Sequence, residues 1–570
     1  MPLTPAYVVA SRPPMPPRHQ ALGRIRRRSR FAGLLSTLAI GLALLGAACA
    51  SESPPAAVAP AAPKNYPRPI LPPAPWQARL SVAEGYEAKP PAAPPVLIRN
   101  ATLMLATGKT IARGSILLEK GKIAAIREGD MAAPSGAVVI DGAGKVVTPG
   151  LIDTHSHIGV YPMPGALAHA DGNEMTDPVT PQAQVVDAFW PQDPAIERAV
   201  AGGVTALQAL PGSGNLIGGR SVTVKLRPGL SPREMHVPGA PDGLKMACGE
   251  NPKRTYGVSK RAPMTRMGNL AGQRAAFLKA QKLRDEWARW REGESRRIAA
   301  DMKKRAEYEA KREEREKRQA YCQKNGGQEE PCSKWREEQA KPLEEPEPKE
   351  PTKAPDRDPA AETLIAAMEG RVLVHVHCYR ADDMLAMLAL ADEVGFRVRS
   401  FHHALEAYKI RRELAARGIS TSTWADWWGF KLEAYDGIPE SIALITEGGG
   451  KAVVHSDSSE GIQRLNQEAG KAMAAGVAAG IKITEEDAIK WVTIHAAWSL
   501  GIDHLTGSLE VGKDADVVLW NRTPFSVYAA AERVWIDGQL AFDRDKRGQP
   551  WSDFELGQDG SRSGRGGGSP

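Results

Sequence analysis

The chain has 570 residues, 42% hydrophobic and 25% charged, with 55 Gly and 45 Pro. This globular average with a surplus of loop formers excludes a wholly disordered, collagen-like or multispanning membrane chain. The formal net charge of +7 gathers in an Arg cluster at residues 24–30 and a charged stretch after residue 270, with no zinc-knuckle spacing or aromatic-interleaved basic patch, so no nucleic-acid partner is expected; five Cys are too few for a disulfide scaffold.

The N-terminus reads as an address. A basic run, RIRRRSR, precedes an uncharged apolar stretch from Phe31 to Ala48 and then Cys49. Basic, apolar and small residues in that order make a secretory signal over residues 1–49. Gly46, Ala47 and Ala48 directly before Cys49 resemble a bacterial lipobox, which implies a lipidated Cys49 at the mature N-terminus. The expectation is export to a bacterial cell envelope, as a periplasmic protein or outer-membrane lipoprotein. Its membrane contact is an N-terminal lipid or, as the alternative, an uncleaved signal anchor. Residues 50–92 are dominated by Pro and Ala, which gives an extended spacer with too little apolar content to fold.

From Val96 onward the texture becomes short β-branched runs, VLIRNATLML, SILLEKGKIAAI and AVVIDGAGKVV. It returns near the other end in GSLEVGKDADVVLWN and RVWIDGQLAFDR, where Asp537-Gly538 marks a hairpin. Residues 93–148 and 505–545 are therefore expected to build one small β-sandwich from both termini, with the tail 546–570 disordered. Between them, residues 149–504 alternate strands (GLIDTHSH, VTALQAL, GLKMACG, RVLVHVHC, RVRSFHH, GISTSTW, AVVHSD) with amphipathic segments such as ADDMLAMLALADEVG. That alternation predicts an α/β fold of the TIM-like (β/α)8 barrel type, whose chemistry sits at the C-terminal strand ends.

Residues 275–360 interrupt the barrel with a charged helical insertion and a Pro/Glu-rich return. Pairs such as Glu313 with Lys317 support a long solvated helix, and no continuous apolar stripe marks a coiled coil. Cys322 and Cys332 lie near its tip, and in an oxidising compartment they can close a loop, although their pairing stays open.

More than half of the twelve histidines fall on the expected strand ends. His155 and His157 form H-x-H on one strand, so both rings face the same way. VHVHCYRADD carries His375 and His377, RSFHHALEAYK carries His402 and His403, and AVVHSDSSEG carries Asp457. A polar cluster of this kind is costly to bury unless it binds a metal.

With these motifs in order, and with VVTPGLIDTHSHIG and GSLEVGKDADVVLWN at either end, the chain resembles the amidohydrolase superfamily, in its imidazolonepropionase-like and metal-dependent dipeptidase branch. The resemblance implies one or two divalent ions, expected to be Zn, held by His155, His157, His375, His403 and Asp457, with Asp457 also catalytic. His377 (as a substrate contact) and His402 are alternatives. For a strand-four bridge between two ions the resemblance implies Lys245 in GLKMACGENP, with Lys225 and Glu250 as alternatives. For substrate, the sequence offers Arg220 and Arg254 as carboxylate binders, Trp424 with Trp427 and Trp428 as a stacking cluster, and the Gly-rich LPGSGNLIGGR as a mouth loop. The activity so implied is an exported metal-dependent hydrolase cutting a C–N bond of a small amide, cyclic amide or peptide. A catalytically inactive envelope lipoprotein acting as a binding module is one alternative. A deaminase of the same superfamily is the other, disfavoured because Tyr379 and Arg380 stand where a Glu is expected. A homo-oligomer is left open.

Overall fold

The computed structural model describes residues 71–77, 92–227, 229, 231–325, 330–339 and 341–546. The expected signal segment, most of the Pro/Ala spacer and the C-terminal tail lie outside the described residues. Among the described residues no helix is long and apolar enough to cross a membrane.

Five strands open the chain: β1 (Val96–Met104), β2 (Thr110–Glu119), β3 (Lys122–Glu128), β4 (Val138–Asp141) and β5 (Val146–Pro149). Eight follow in the middle: β6 (Leu151–Ser156), β7 (Val204–Ala209), β8 (Ile217–Lys225), β9 (Gly243–Ala247), β10 (Leu373–Cys378), β11 (Val398–His403), β12 (Ser420–Thr423) and β13 (Lys451–Val454). The last are β14 (Val517–Trp520), β15 (Ala531–Ile536) and β16 (Gln539–Asp543).

Strands from both termini share one eight-stranded sheet, ordered β16-β15-β14-β5-β1-β2-β3 with β4 also paired to β1. The two ends of the chain meet where β5 runs antiparallel to β14. Tight turns set the hairpins: Lys120-Gly121 and Asp537-Gly538 all take positive φ, the conformation a two-residue turn between right-twisted strands requires.

The second sheet runs β13-β12-β11-β10-β9-β8-β7-β6. Seven of its strands are parallel, and β8 alone is antiparallel to both neighbours. The sequence reads the start of β8 as a Gly-rich loop. The structure instead makes it a hairpin partner of β7, because residues 210–216 are too few for the crossover of about a dozen residues that a parallel return needs. The sheet is barrel-like and nearly closed. Asp457 N–H donates to His155 O at 3.0 Å, and Asp153 accepts from Ser456 N–H at 3.2 Å, so the chain after β13 reaches back to β6.

After β9, the helix Arg266–Lys324 runs 59 residues, about 88 Å at 1.5 Å per residue. Its first turns belong to the barrel wall. Phe277 stacks on Phe396 at 4.6 Å, and Gln273 donates to Ala247 O at 2.9 Å. Further out it projects, carrying the Glu313–Lys317 pair at 2.7 Å. The Pro-rich return lies along it: Arg315 donates to Lys341 O, Arg297 to Lys349 O and Trp290 to Thr352 O. At its end Cys322 and Cys332 form a disulfide. Nearer the barrel, residues 71–77 from the middle of the Pro/Ala spacer dock on the same helix, with Trp76 buried edge-on against Trp287 at 6.0 Å.

Candidate metal centre

The C-terminal ends of β6, β10, β11 and the residues after β13 converge on one cluster. His155 and His157 flank Ser156 at the end of β6, and each ring is fixed through Nδ1. His155 Nδ1 lies 2.8 Å from His402 Nδ1, and His157 Nδ1 lies 2.8 Å from Leu210 O. Both Nε2 atoms are thereby turned toward Asp457, at 3.6 and 3.3 Å from its Oδ1. Anchoring one ring nitrogen so that the other faces a shared point is how metal-ligating imidazoles are oriented.

His377 is buried, and neither ring nitrogen has a hydrogen-bond partner among the described residues. His155 Nε2 and His455 Nδ1 are orphaned likewise. An unpaired buried nitrogen is expensive, and several in one place call for a missing ligand. Two overlapping triads are spaced to hold an ion, His155–His157–Asp457 and His155–His403–His455. The chemistry of the donors fits a borderline metal: neutral imidazoles and one carboxylate. Burial is the largest cause holding His155, His377, His402 and His403 well below the ordinary imidazole value. It also pushes His455 to about 4 and His375 to about 3. All six are neutral at pH 7, the form that ligates.

Backbone conformation decides which of two adjacent histidines faces the mouth. On β11, His402 points inward, bridging His155 and His375 (Nε2 to His375 Nδ1, 2.9 Å). His403 takes φ +68°, which breaks the strand alternation and turns its ring to within 3.1 Å of His455 Nε2. Asp457 is also left-handed, at φ +48°. Such strained positions persist where the surroundings over-determine them, commonly at functional sites.

One layer deeper, His375 Nε2 approaches Gln208 Nε2 at 3.4 Å, completing a chain from Gln208 through His375 and His402 to His155. Gly243 makes room for it, since a Cβ there would meet Gln208 Nε2 at 2.7 Å and His375 Cδ2 at 2.9 Å. His375 and His402 thus use both ring nitrogens on protein partners, whereas His377 uses neither. Asp153, pushed up to about 6 by burial, accepts from His155 N–H and from Ser456, tying the first barrel strand to the last.

Lys245 lies on β9 with its side chain buried in the barrel, donating to Pro211 O at 2.9 Å. Burial pushes its ammonium down to about 7, so much of it is free amine at neutral pH. The loop 210–216 therefore serves the site through carbonyls, Leu210 on His157 and Pro211 on Lys245. The ends of β9 and β10 are pinned together by a disulfide between Cys248 and Cys378.

Several expected residues lie elsewhere. Lys225 sits at the opposite end of the barrel, because β8 runs antiparallel, and is enclosed by Asp514 at 2.7 Å, Asp516 at 3.1 Å and Asp537. Arg220 faces the outer wall, paired with Asp242 at 2.5 Å beside a cavity of about 390 Å³ that Trp76 also lines, so it does not meet substrate at the mouth. Glu250 begins the helix Glu250–Gly257 at the rim, 3.6 Å from Lys431, and Arg254 is mostly exposed 4.0 Å from Glu250. Trp424 is at the centre, stacked on His403 at 4.4 Å. Sequence reasoning gave no role to His455 or Asp153. The H-x-D spacing of His455 and Asp457, a second alternating pair at a strand end, was the available signal for the first.

The family model described as "Amidohydrolase family" matches residues 253–542. Among curated relatives, the amidohydrolase tasK of Hapsidospora irregularis is 32% identical over 451 residues, 75% of this chain and 40% of that protein. The imidazolonepropionase of Thermoplasma volcanium is 29% identical over 160 residues, 27% of this chain and 38% of that one. The matched region spans well under half the length of both. Among solved structures, an amidohydrolase from Thermotoga maritima superposes with a TM-score of 0.62 at 33% identity, covering 79% of this chain and all of that one.

Proposed function

The chain belongs to the amidohydrolase family, and from that premise we propose that it is a divalent-metal-dependent hydrolase cutting a C–N bond in a small amide, cyclic amide or peptide. The observation that carries this reading is the set of orphaned imidazole nitrogens gathered around Asp457 at the C-terminal mouth of the barrel. We assign His155, His157 and Asp457 to one ion, with His403 and His455 facing a second and His377, whose ring lies 4.3 Å from that of His403, on the side of the second. This places His377, not His375, in the ligand set, because His375 is committed to His402 and Gln208. Lys245 is the bridging candidate, since a buried amine near neutrality is the form that takes up CO2 to become a carboxylate ligand.

An ion held there, with zinc the best fit to the donors, supplies Lewis-acid chemistry: it acidifies water and polarises a carbonyl oxygen. The protein does the rest. Asp457, with one face toward His155 and His157, accepts the proton of the attacking water and returns it to the departing nitrogen. The chain from Gln208 to His155 holds the imidazole in the required orientation. Tyr379 and Arg380 follow His377 where a deaminase is expected to place a Glu, and the carboxylate of Asp382 is engaged by Arg380 at 2.7 Å, which weighs against deamination. The basic and apolar N-terminal segment supports export to a bacterial envelope, with Cys49 as the lipidated residue.

Elemental analysis of the full chain tests the metal reading. Wild type is expected to carry one or two transition-metal ions, with His377→Ala losing metal that His375→Ala largely keeps. Wild type without stoichiometric metal overturns the reading.

A further inference from the structure

Beside the metal cluster the mouth is walled by stacked aromatic rings. Trp424 lies on His403 at 24° between planes, and its indole N–H donates to Ser456 O at 2.9 Å, which fixes the ring. Tyr379 also stacks on His403, at 5.1 Å and 13°. The ladder continues outward through Trp427, 5.3 Å from Trp424 and nearly parallel to it, with 41% of its surface exposed. Phe430, 58% exposed, stands edge-on to both Tyr379 and Trp424 at about 6 Å.

The charges next to these rings are already engaged. Lys431 lies over Tyr379 at 3.9 Å, donates to Asn251 at 2.9 Å and sits within 3.8 Å of Glu433 and 3.6 Å of Glu250; Glu433 in turn pairs with Arg266. This network ties the loop after β12 to the helix Glu250–Gly257, giving the aromatic wall a fixed seat. What the wall offers an incoming molecule is the free surface of Trp427 and Phe430, and among the described residues the charge that lies on its rings, Lys431, is already paired. Exposed rings such as Trp427 and Phe430, seated on the buried Trp424 and Tyr379 and next to convergent polar groups, mark a binding site, because leaving them in water is unfavourable.

Resting on the hydrolase reading, we propose that Trp427 and Phe430, held in place by the buried Trp424 and Tyr379, form the side-chain subsite of this centre. The substrate carries an uncharged aromatic or bulky aliphatic group adjacent to the bond that is cut. A carboxylate or ammonium side chain finds no partner there and is rejected.

The metal-loaded full-length protein is assayed with matched dipeptides and hydantoins differing only in one side chain: benzyl, isobutyl, methyl, carboxymethyl or aminobutyl. Specificity should favour benzyl and isobutyl over methyl by about tenfold or more in kcat/KM, expressed mainly in KM, with the charged members lowest. Trp427→Ala and Phe430→Ala should collapse the benzyl-to-methyl ratio toward one at unchanged metal content. Equal kcat/KM across the series, or a ratio untouched by both variants, overturns the subsite.

A second readout is independent of turnover: calorimetric binding of phenylalanine hydroxamate against alanine hydroxamate, both of which reach a metal. Tighter binding of the phenylalanine compound, lost in Trp427→Ala, supports the subsite even if no amide in the series is cut, an outcome that would count against the hydrolase reading alone. Equal binding of the two overturns the subsite by itself.

Discussion

The barrel buries two polar clusters at opposite ends, and they are built on opposite principles. At the lower end, Lys225 is surrounded by Asp514, Asp516 and Asp537, with Lys122 and Arg227 joining the outer carboxylates. Burial draws its pKa down, but the carboxylates, led by Asp516, outweigh that and hold it above the ordinary lysine value. At the upper end Lys245 has one carbonyl as its hydrogen-bond partner, and burial wins. The histidines around it leave nitrogens unpaired. The lower cluster is satisfied by the fold and locks the barrel to the sheet made by the two termini. The upper cluster leaves ring nitrogens without a partner among the described residues. Both lysines are buried on barrel strands, so burial does not separate structure from function; completeness of pairing does.

Exchanging charge at each end should therefore fail in different ways. Asp457→Asn should cost the most activity, about a thousandfold or more in kcat/KM, with little change in folding stability, as seen by kinetics alongside thermal unfolding. Lys225→Met should do the reverse. Removing the cation the three carboxylates share, and the ion-pair partner of the buried Asp516, should destabilise by about 3–5 kcal/mol in denaturant unfolding, while metal content per folded chain is retained. Metal loss in folded Lys225→Met would break the comparison.

A smaller effect sharpens it. His402→Ala removes the partner that turns His155 toward the mouth without touching the ion itself, and metal affinity should fall by about 10–100-fold in a competition titration with a chelator. The smallest is a pH slope. His495, buried with Nδ1 bonded to Ala452 O at 3.0 Å, is pushed down to about 4. The unfolded chain therefore takes up a proton at this position below about pH 6.5 that the folded chain refuses until about pH 4. Stability of wild type relative to His495→Gln should hold above pH 6.5 and decline as pH falls through that window. A pH-independent difference in unfolding midpoint would contradict it.

Much of this was legible in the sequence because it depends on spacing along one strand. The H-x-H of His155 and His157, the apolar runs that become barrel strands, and the Asp537-Gly538 hairpin all follow from a period of two or from turn chemistry. The long charged helix was visible from its i,i+4 pairs, although its first turns proved to be barrel wall anchored by Gln273 and Phe277. The antiparallel β8 was missed, since its direction depends on the length of the connection and not on its own residues.

The choice between paired candidates was beyond the sequence for a physical reason. His375 and His377 have identical alternation, and only their depth in the barrel commits one to His402 and Gln208 and leaves the other open. His402 and His403 are adjacent, and a left-handed φ at His403 decides which of them faces the mouth. Lys225 and Lys245 are both strand lysines, and strand direction alone sends them to opposite ends. The sequence by itself determined the donor types, the family resemblance and the alternation of strands and helices, because those are local properties of residues and their spacing. Which donors stay unpaired was decided only by the tertiary structure, because pairing in a closed barrel is settled by neighbours far apart in the chain.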